Sequence, residues 1–227
     1  MSGKVMSPKR RKELGRGQKT DQIQTKSSGC SKKNAPDYEP FIKPKEERSS
    51  GVASNIPDVK AERMRSTLSQ GEVGWWLKLW FQGDVVEIQE QKLLDQDLLD
   101  KICDRYGKKH LQYVSTDFYV IRADGTREAY SIKPSPDKVQ KDRVKERIAI
   151  EKLYWEEQGV KFFLKFKTDI PKQELKNLID IYPYRDEKSV HDSKSRIRHL
   201  IAIKEITIDM TKPIDYETLE REYPEEN

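Results

Sequence analysis

Glu72, Asp117 and Lys133 are the residues of this chain whose types and settings could do chemistry together. Glu72 shares an apolar stripe with Leu68, Trp75, Trp76 and Leu79, at spacings of three, four and seven. A carboxylate on such a stripe costs desolvation unless a cation or a donor meets it. Asp117 lies inside the strand-like run Tyr113–Ile121, and aspartate is depleted from strand interiors. Lys133 ends the following run, Ala129-Tyr-Ser-Ile-Lys-Pro134. Each has a plain structural reading: a buried ion pair for Glu72, and a cross-strand salt bridge for Asp117 and Lys133. Together they could hold Mg²⁺ against a phosphate, since magnesium takes a few carboxylates plus water and phosphate oxygens. Such a metal makes a nucleophile of bound water and shields developing charge. A lysine beside it would orient or deprotonate the water.

The elements that must position these residues are legible from periodicity. The stripe predicts a helix over 68–81, stopped by Gly83. Asp84–Gln91 alternates as a half-buried strand with Val86 and Ile88 as its apolar face. Val114–Arg122 and Arg127–Lys133 read as a hairpin around Asp124-Gly125. A two-residue turn there would oppose Asp117 to Ile132, and a three-residue loop would oppose it to Lys133; only the second puts both side chains on one face. Pro134 and Pro136 end the second strand. Pro136-Asp137 opens a long helix to about Gln158, facing inward with Val144, Ile148, Glu151 and Trp155 and capped by Gly159. Val160–Phe166 reads as a buried strand. Helix, strand, hairpin, helix, strand is the order of an α/β core with a mixed sheet. A helix acid, a strand Asp and a Lys on the next strand is also the layout of the restriction-endonuclease-like nucleases.

Composition bounds the rest. The chain of 227 residues is 34% hydrophobic and 37% charged, with a mean hydropathy of −0.93. No run reaches the roughly 18 apolar residues of a membrane span. Met1–Lys19 is basic and polar throughout, without the apolar segment of a signal peptide, so a cytoplasmic protein is expected. Cys30 and Cys103 cannot build a disulfide framework, and His110, His191 and His199 lack metal-ligand spacing. Residues 1–50 hold 13 Lys/Arg against 6 Asp/Glu, a surplus of seven, whereas the remainder holds 31 against 33. The basic excess therefore lies in an N-terminal arm, either a solvated tail or a polyanion-binding segment. Arg10, Arg11, Lys12 and Arg16, beside Gly15 and Gly17, are its candidate phosphate contacts. The organisation expected is an arm over 1–66, an α/β domain over 67–170 and a short C-terminal helical region over 171–227. Pro171–Tyr182 reads as an amphipathic helix, and Lys194–Arg198 as a basic patch that faces either DNA or solvent.

Ser115-Thr-Asp-Phe-Tyr119, Ile132-Lys-Pro134, Tyr154-Trp155, Thr168-Asp-Ile170 and the block Asp84–Gln91 resemble TnsA, the endonuclease subunit of Tn-seven-like transposases, including CRISPR-associated ones. In the arm, Gly15-Arg-Gly-Gln18, Asp37-Tyr-Glu-Pro40 and Ser49-Ser-Gly51 are similar to the same family. The resemblance covers roughly residues 10–170. It implies a restriction-endonuclease-like fold and a catalytic set of Glu72, Asp117 and Lys133. It implies Mg²⁺, with Mn²⁺ as a substitute, on Glu72, Asp117 and a backbone carbonyl near Ile132. Ser131 fills a slot where the wider superfamily has an acid and TnsA can have Gln; serine is the weaker ligand. Glu151 matches a family glutamate, in a supporting or merely structural role. The resemblance further implies cleavage of the 5′ strands at double-stranded transposon ends, alongside the DDE transposase TnsB and the AAA+ ATPase TnsC. It also implies a C-terminal helical domain for those partners, and 57 residues after position 170 are few for one. Two alternatives remain: a non-catalytic DNA-binding scaffold that kept the nuclease fold, and a stand-alone repair or restriction nuclease.

Overall fold

Ser69 is extended, and its hydroxyl accepts the N–H of Glu72 at 3.2 Å, which turns the chain into helix α1, Gln70–Trp80. The computed structural model describes residues 54–58, 63–67 and 69–225. Ahead of α1, β1 (Ser54–Asp58) and β2 (Arg63–Thr67) form an antiparallel pair, inside the span whose composition reads as an arm. The rest of the basic arm, with Arg10, Arg11, Lys12 and Arg16, lies outside the described residues.

A four-stranded sheet follows in the order β3-β4-β5-β6, made of Val85–Leu93, Ser115–Arg122, Arg127–Lys133 and Lys161–Phe166. The first three strands are antiparallel, and β6 runs parallel to β5. The sheet is mixed, as the element order predicts. Val86 is a correction: the register shifts between Val85 and Glu87, so Val85 and Ile88 turn inward while Val86 is 66% exposed. A bulge puts two residues against one and reverses the alternation behind it. β6 is a second correction, since it forms an edge of the sheet and its side chains are half-buried.

Helices cover both faces. Trp75, Trp76, Leu77 and Leu79 of α1 pack with Ile88, Phe118, Val120, Tyr130 and Ile132 of the sheet, and with Leu178 of α4 (Lys172–Ile181). On the other face, α2 (Gln96–Arg105) and α3 (Asp142–Glu157) enclose Leu99, Ile102, Cys103, Ala129, Ile150, Tyr154 and Trp155. Sequence periodicity predicts no element at α2, a ten-residue helix capped by the Asp95 carboxylate. The long helix expected from Pro136 divides into a 3₁₀ turn, Pro136–Val139, and α3 proper. Its inward face is Ile150, Glu151, Tyr154 and Trp155, whereas Val144 and Ile148 are only half-buried. Gly159 follows the helix end at φ +66°, the left-handed conformation of a helix stop.

The C-terminal region packs α4, α5 (Ser193–Ala202) and α6 (Tyr216–Glu222) through Ile181, Ile197, Ile201 and Ile206, with Trp80 and Phe81 from the end of α1 against them. The Asn177 amide donates to the Met210 and Lys212 carbonyls at 2.9 and 2.7 Å, tying the tail to α4. The Lys194–Arg198 segment is engaged within the fold. Arg198 pairs with Asp180 at 3.2 Å and lies over the Tyr184 and Tyr216 rings.

Candidate active site

The β4–β5 hairpin closes through a three-residue loop, Ala123–Gly125, with Gly125 at φ +82°. Three-residue hairpins place a left-handed residue at the loop's end, and glycine adopts it without Cβ strain. The resulting pairs run from Ile121↔Arg127 to Phe118↔Tyr130. This register is neither of the two expected, because the loop begins one residue earlier than Asp124. Beyond Phe118↔Tyr130 the strands part, and the Asp117 side chain enters the gap. Its Oδ2 accepts the backbone N–H of Ile132 at 2.5 Å and the Lys133 ammonium at 3.4 Å. Asp117 and Lys133 therefore meet through a side chain that replaces a ladder bond.

Glu72 comes to the same place from α1. It is 6% exposed. Its Oε1 accepts the Ser69 hydroxyl at 2.9 Å, and its Oε2 accepts the Gln91 amide at 3.2 Å. The helix can approach this closely because Gly71 and Gly74 carry no Cβ. A Cβ on Gly71 would lie 3.2 Å from the Lys167 Cβ and 3.5 Å from the Ile132 Cγ2, and one on Gly74 would lie 3.2 Å from the Ile170 Cδ1.

Gln91 joins the two acids. It is 2% exposed. Its Nε2 donates to Glu72 Oε2 at 3.2 Å and to Asp117 Oδ1 at 3.4 Å, while its Oε1 accepts the Ser115 hydroxyl at 3.2 Å. It falls between the pairs Glu90↔Phe118 and Lys92↔Thr116, with φ +49°. Sequence reasoning used Gln91 only as the end of a strand. The available signal was the break in alternation at Gln89-Glu90-Gln91-Lys92, four polar residues in a row.

Ser131 is buried, and its hydroxyl accepts the Lys133 ammonium at 2.8 Å. The Ile132 carbonyl accepts the same ammonium at 3.1 Å. Glu151 is buried one layer away, accepting the Thr116 hydroxyl at 2.6 Å; that hydroxyl in turn accepts the Trp155 indole N–H at 2.6 Å. Burial pushes the Glu151 carboxyl up to about 7, against a downward pull from Lys133 and with a further upward push from Asp117. It lies within electrostatic range of the cluster and has a hydrogen-bonded place in the core.

As a donor set, the centre offers two carboxylates on separate elements, Glu72 buried and Asp117 half-buried, with one backbone carbonyl and one neutral amide. Among the described residues, no group of three or more His, Cys, Asp or Glu gathers as a metal site. Two carboxylates with neutral oxygens fit a hard cation that keeps several waters, and do not fit a zinc cage. Arg10, Arg11, Lys12 and Arg16 lie outside the described residues.

The mixed sheet flanked by helices, with an acid from the preceding helix, an aspartate from the second strand and a lysine at the end of the third, is a restriction-endonuclease-like α/β fold. Residues 82–165 match the family described as TnsA-like endonuclease N terminal. Transposon Tn7 transposition protein TnsA of Escherichia coli is 29% identical over a 192-residue alignment that covers 79% of this chain and 70% of that protein. Residues 82–165 are thus similar to the TnsA-like endonuclease N-terminal domain, and most of the chain is similar to TnsA. The family match takes in Asp117, Ser131, Ile132, Lys133 and Glu151, and the wider alignment with the Escherichia coli protein extends well beyond it.

Proposed function

We propose that this chain is a Mg²⁺-dependent DNA endonuclease of transposition, one that cuts the 5′ strands at transposon ends while a DDE transposase cuts and joins the 3′ strands. The observation that carries the reading is the meeting of Glu72 and Asp117 on one amide, with the Lys133 ammonium on the far oxygen of Asp117. The likeness to a transposition protein named TnsA supports the biological setting. A divalent ion held by Glu72, Asp117 and the Ile132 carbonyl would polarise the scissile phosphate and acidify a water, with Mn²⁺ able to replace Mg²⁺.

The chain's own groups have separable tasks. Lys133, aimed by Ser131 and the Ile132 carbonyl, offsets phosphate charge and orients the attacking water. Ser69 holds one oxygen of Glu72, and the other accepts the Gln91 amide that also meets Asp117. The arm residues Arg10, Arg11, Lys12 and Arg16 contact the DNA backbone without reading bases. End recognition then belongs to the transposase TnsB, and the helical region over 171–227 is the surface for TnsB and for the ATPase TnsC.

One observation favours the rival reading of a non-catalytic scaffold: Ser131 stands where a third acid would help to hold a metal, and its hydroxyl is taken by Lys133. Strand-specific cleavage of a labelled transposon end, with and without the transposase, separates the two. Mg²⁺-dependent 5′ cuts that vanish in Asp117→Ala support the nuclease. Assembly with intact 3′ cutting, but no 5′ cuts by the wild-type chain, supports the scaffold.

A further inference from the structure

We propose that Gln91 is a neutral ligand whose amide can present either end: its nitrogen donates to the two carboxylates, and its oxygen faces the cation once one is bound. The inference rests on the metal-dependent reading above and extends it to a residue on β3.

The distances carry it. Nε2 of Gln91 lies 3.2 Å from Glu72 Oε2 and 3.4 Å from Asp117 Oδ1. Neighbouring oxygens in an octahedral shell of radius about 2.1 Å are about 3.0 Å apart. Rotating the terminal amide by half a turn exchanges its nitrogen and oxygen at nearly the same positions. The oxygen would then sit at close to octahedral spacing from both carboxylate oxygens. Without a cation that orientation sets three oxygens against one another, and the N–H₂ group is the one that satisfies both acids.

The outer contact permits either state. Oε1 accepts from the Ser115 hydroxyl at 3.2 Å. A hydroxyl both donates and accepts, so Ser115 holds the amide oxygen before the turn and the amide N–H after it. No backbone motion is required, because Gln91 is already held at φ +49°, a conformation that non-glycine residues adopt rarely. That backbone turn brings a strand side chain beside Asp117 while Glu90 is fully buried next to it. The arrangement also accounts for Ser131 at the family's acid or Gln slot. A neutral ligand from β3 leaves that slot free to aim Lys133.

The test is Mn²⁺ affinity of the full chain without DNA, read by the electron paramagnetic resonance of free Mn²⁺. Gln91→Leu removes the oxygen and should weaken binding by about tenfold or more. Gln91→Glu keeps the shape and adds a charged oxygen, and should tighten binding by about tenfold. In the wild-type chain labelled with ¹⁵N, Mg²⁺ should move the Gln91 side-chain amide resonances. A group that only donates to the acids gives the opposite result: unchanged or tighter Mn²⁺ binding in Gln91→Leu overturns the proposal. Unaltered or weaker binding in Gln91→Glu overturns it as well, and this holds even where the leucine variant fails to fold. Asp117→Asn is the control on the underlying reading. If it leaves Mn²⁺ affinity intact, the ion is not held here and both readings fall. If it abolishes binding while Gln91→Leu does not, the role of Gln91 alone is refuted.

Discussion

Ser131→Ala separates two roles for the serine, ligand to a metal or support for Lys133. The hydroxyl accepts the Lys133 ammonium at 2.8 Å, whereas the ammonium keeps longer contacts to the Ile132 carbonyl at 3.1 Å and to Asp117 at 3.4 Å. A hydrogen bond to a charged group is worth about 1.5–3 kcal/mol. The Lys133 side chain is 27% exposed, so water replaces part of the loss and about 1–2 kcal/mol remains. At about 1.4 kcal/mol per factor of ten, single-turnover 5′ cleavage should slow by about 5- to 30-fold. Because the lost contact aims the lysine, the slower rate should persist at saturating Mg²⁺, and the metal concentration for half-maximal rate should barely move. The assay is single-turnover cleavage of an end-labelled duplex across a Mg²⁺ titration, with the transposase present. Recovery of the wild-type rate at high Mg²⁺ would refute the reasoning, because it would make Ser131 a metal ligand. An unchanged rate at all Mg²⁺ concentrations would remove Ser131 from the mechanism altogether.

Asp117→Ala should lower 5′ cleavage by more than about a thousandfold while 3′ joining by the transposase continues; loss of both in an assembled complex argues against the division of labour. Glu151 carries a folded carboxyl raised to about 7 from 4.5, so the folded state binds the extra proton. Its stabilising effect is complete below about pH 4.5 and is lost as pH rises through about 7, at most about 3 kcal/mol. Urea unfolding of Glu151→Gln should therefore fall less between pH 5 and pH 8 than that of the wild type, and parallel curves would mean the carboxyl is not the cause. Neutralising Arg10, Arg11, Lys12 and Arg16 together should weaken binding equally on end and random DNA. It should also flatten the slope of log affinity against log salt by up to about 0.9 per phosphate contact; an unaltered slope would leave the arm as a solvated tail.

Several features of this protein follow from local pattern alone. Spacings of three, four and seven put Glu72 on the buried face of α1, and the structure buries it there at 6% exposure. Alternation around Asp124-Gly125 predicts the β4–β5 hairpin, and left-handed Gly125 and Gly159 fall at a loop end and a helix stop. These are contacts among near neighbours in sequence, where periods of 2 and 3.6 residues decide which side a residue faces. Tertiary structure decided what periodicity does not encode. The hairpin register depended on where the three-residue loop begins, and a single step changes every cross-strand partner. The bulge after Val85 turned Val85 inward and Val86 outward, while Ile88 kept the inward face that alternation predicts. The α2 helix is short, and its burial comes from Ile150, Tyr154 and Trp155 about fifty residues later in the chain. Above all, Gln91 reaches Glu72 nineteen positions back and Asp117 twenty-six positions on. Only the packing of α1 over neighbouring strands brings three such distant residues onto one amide.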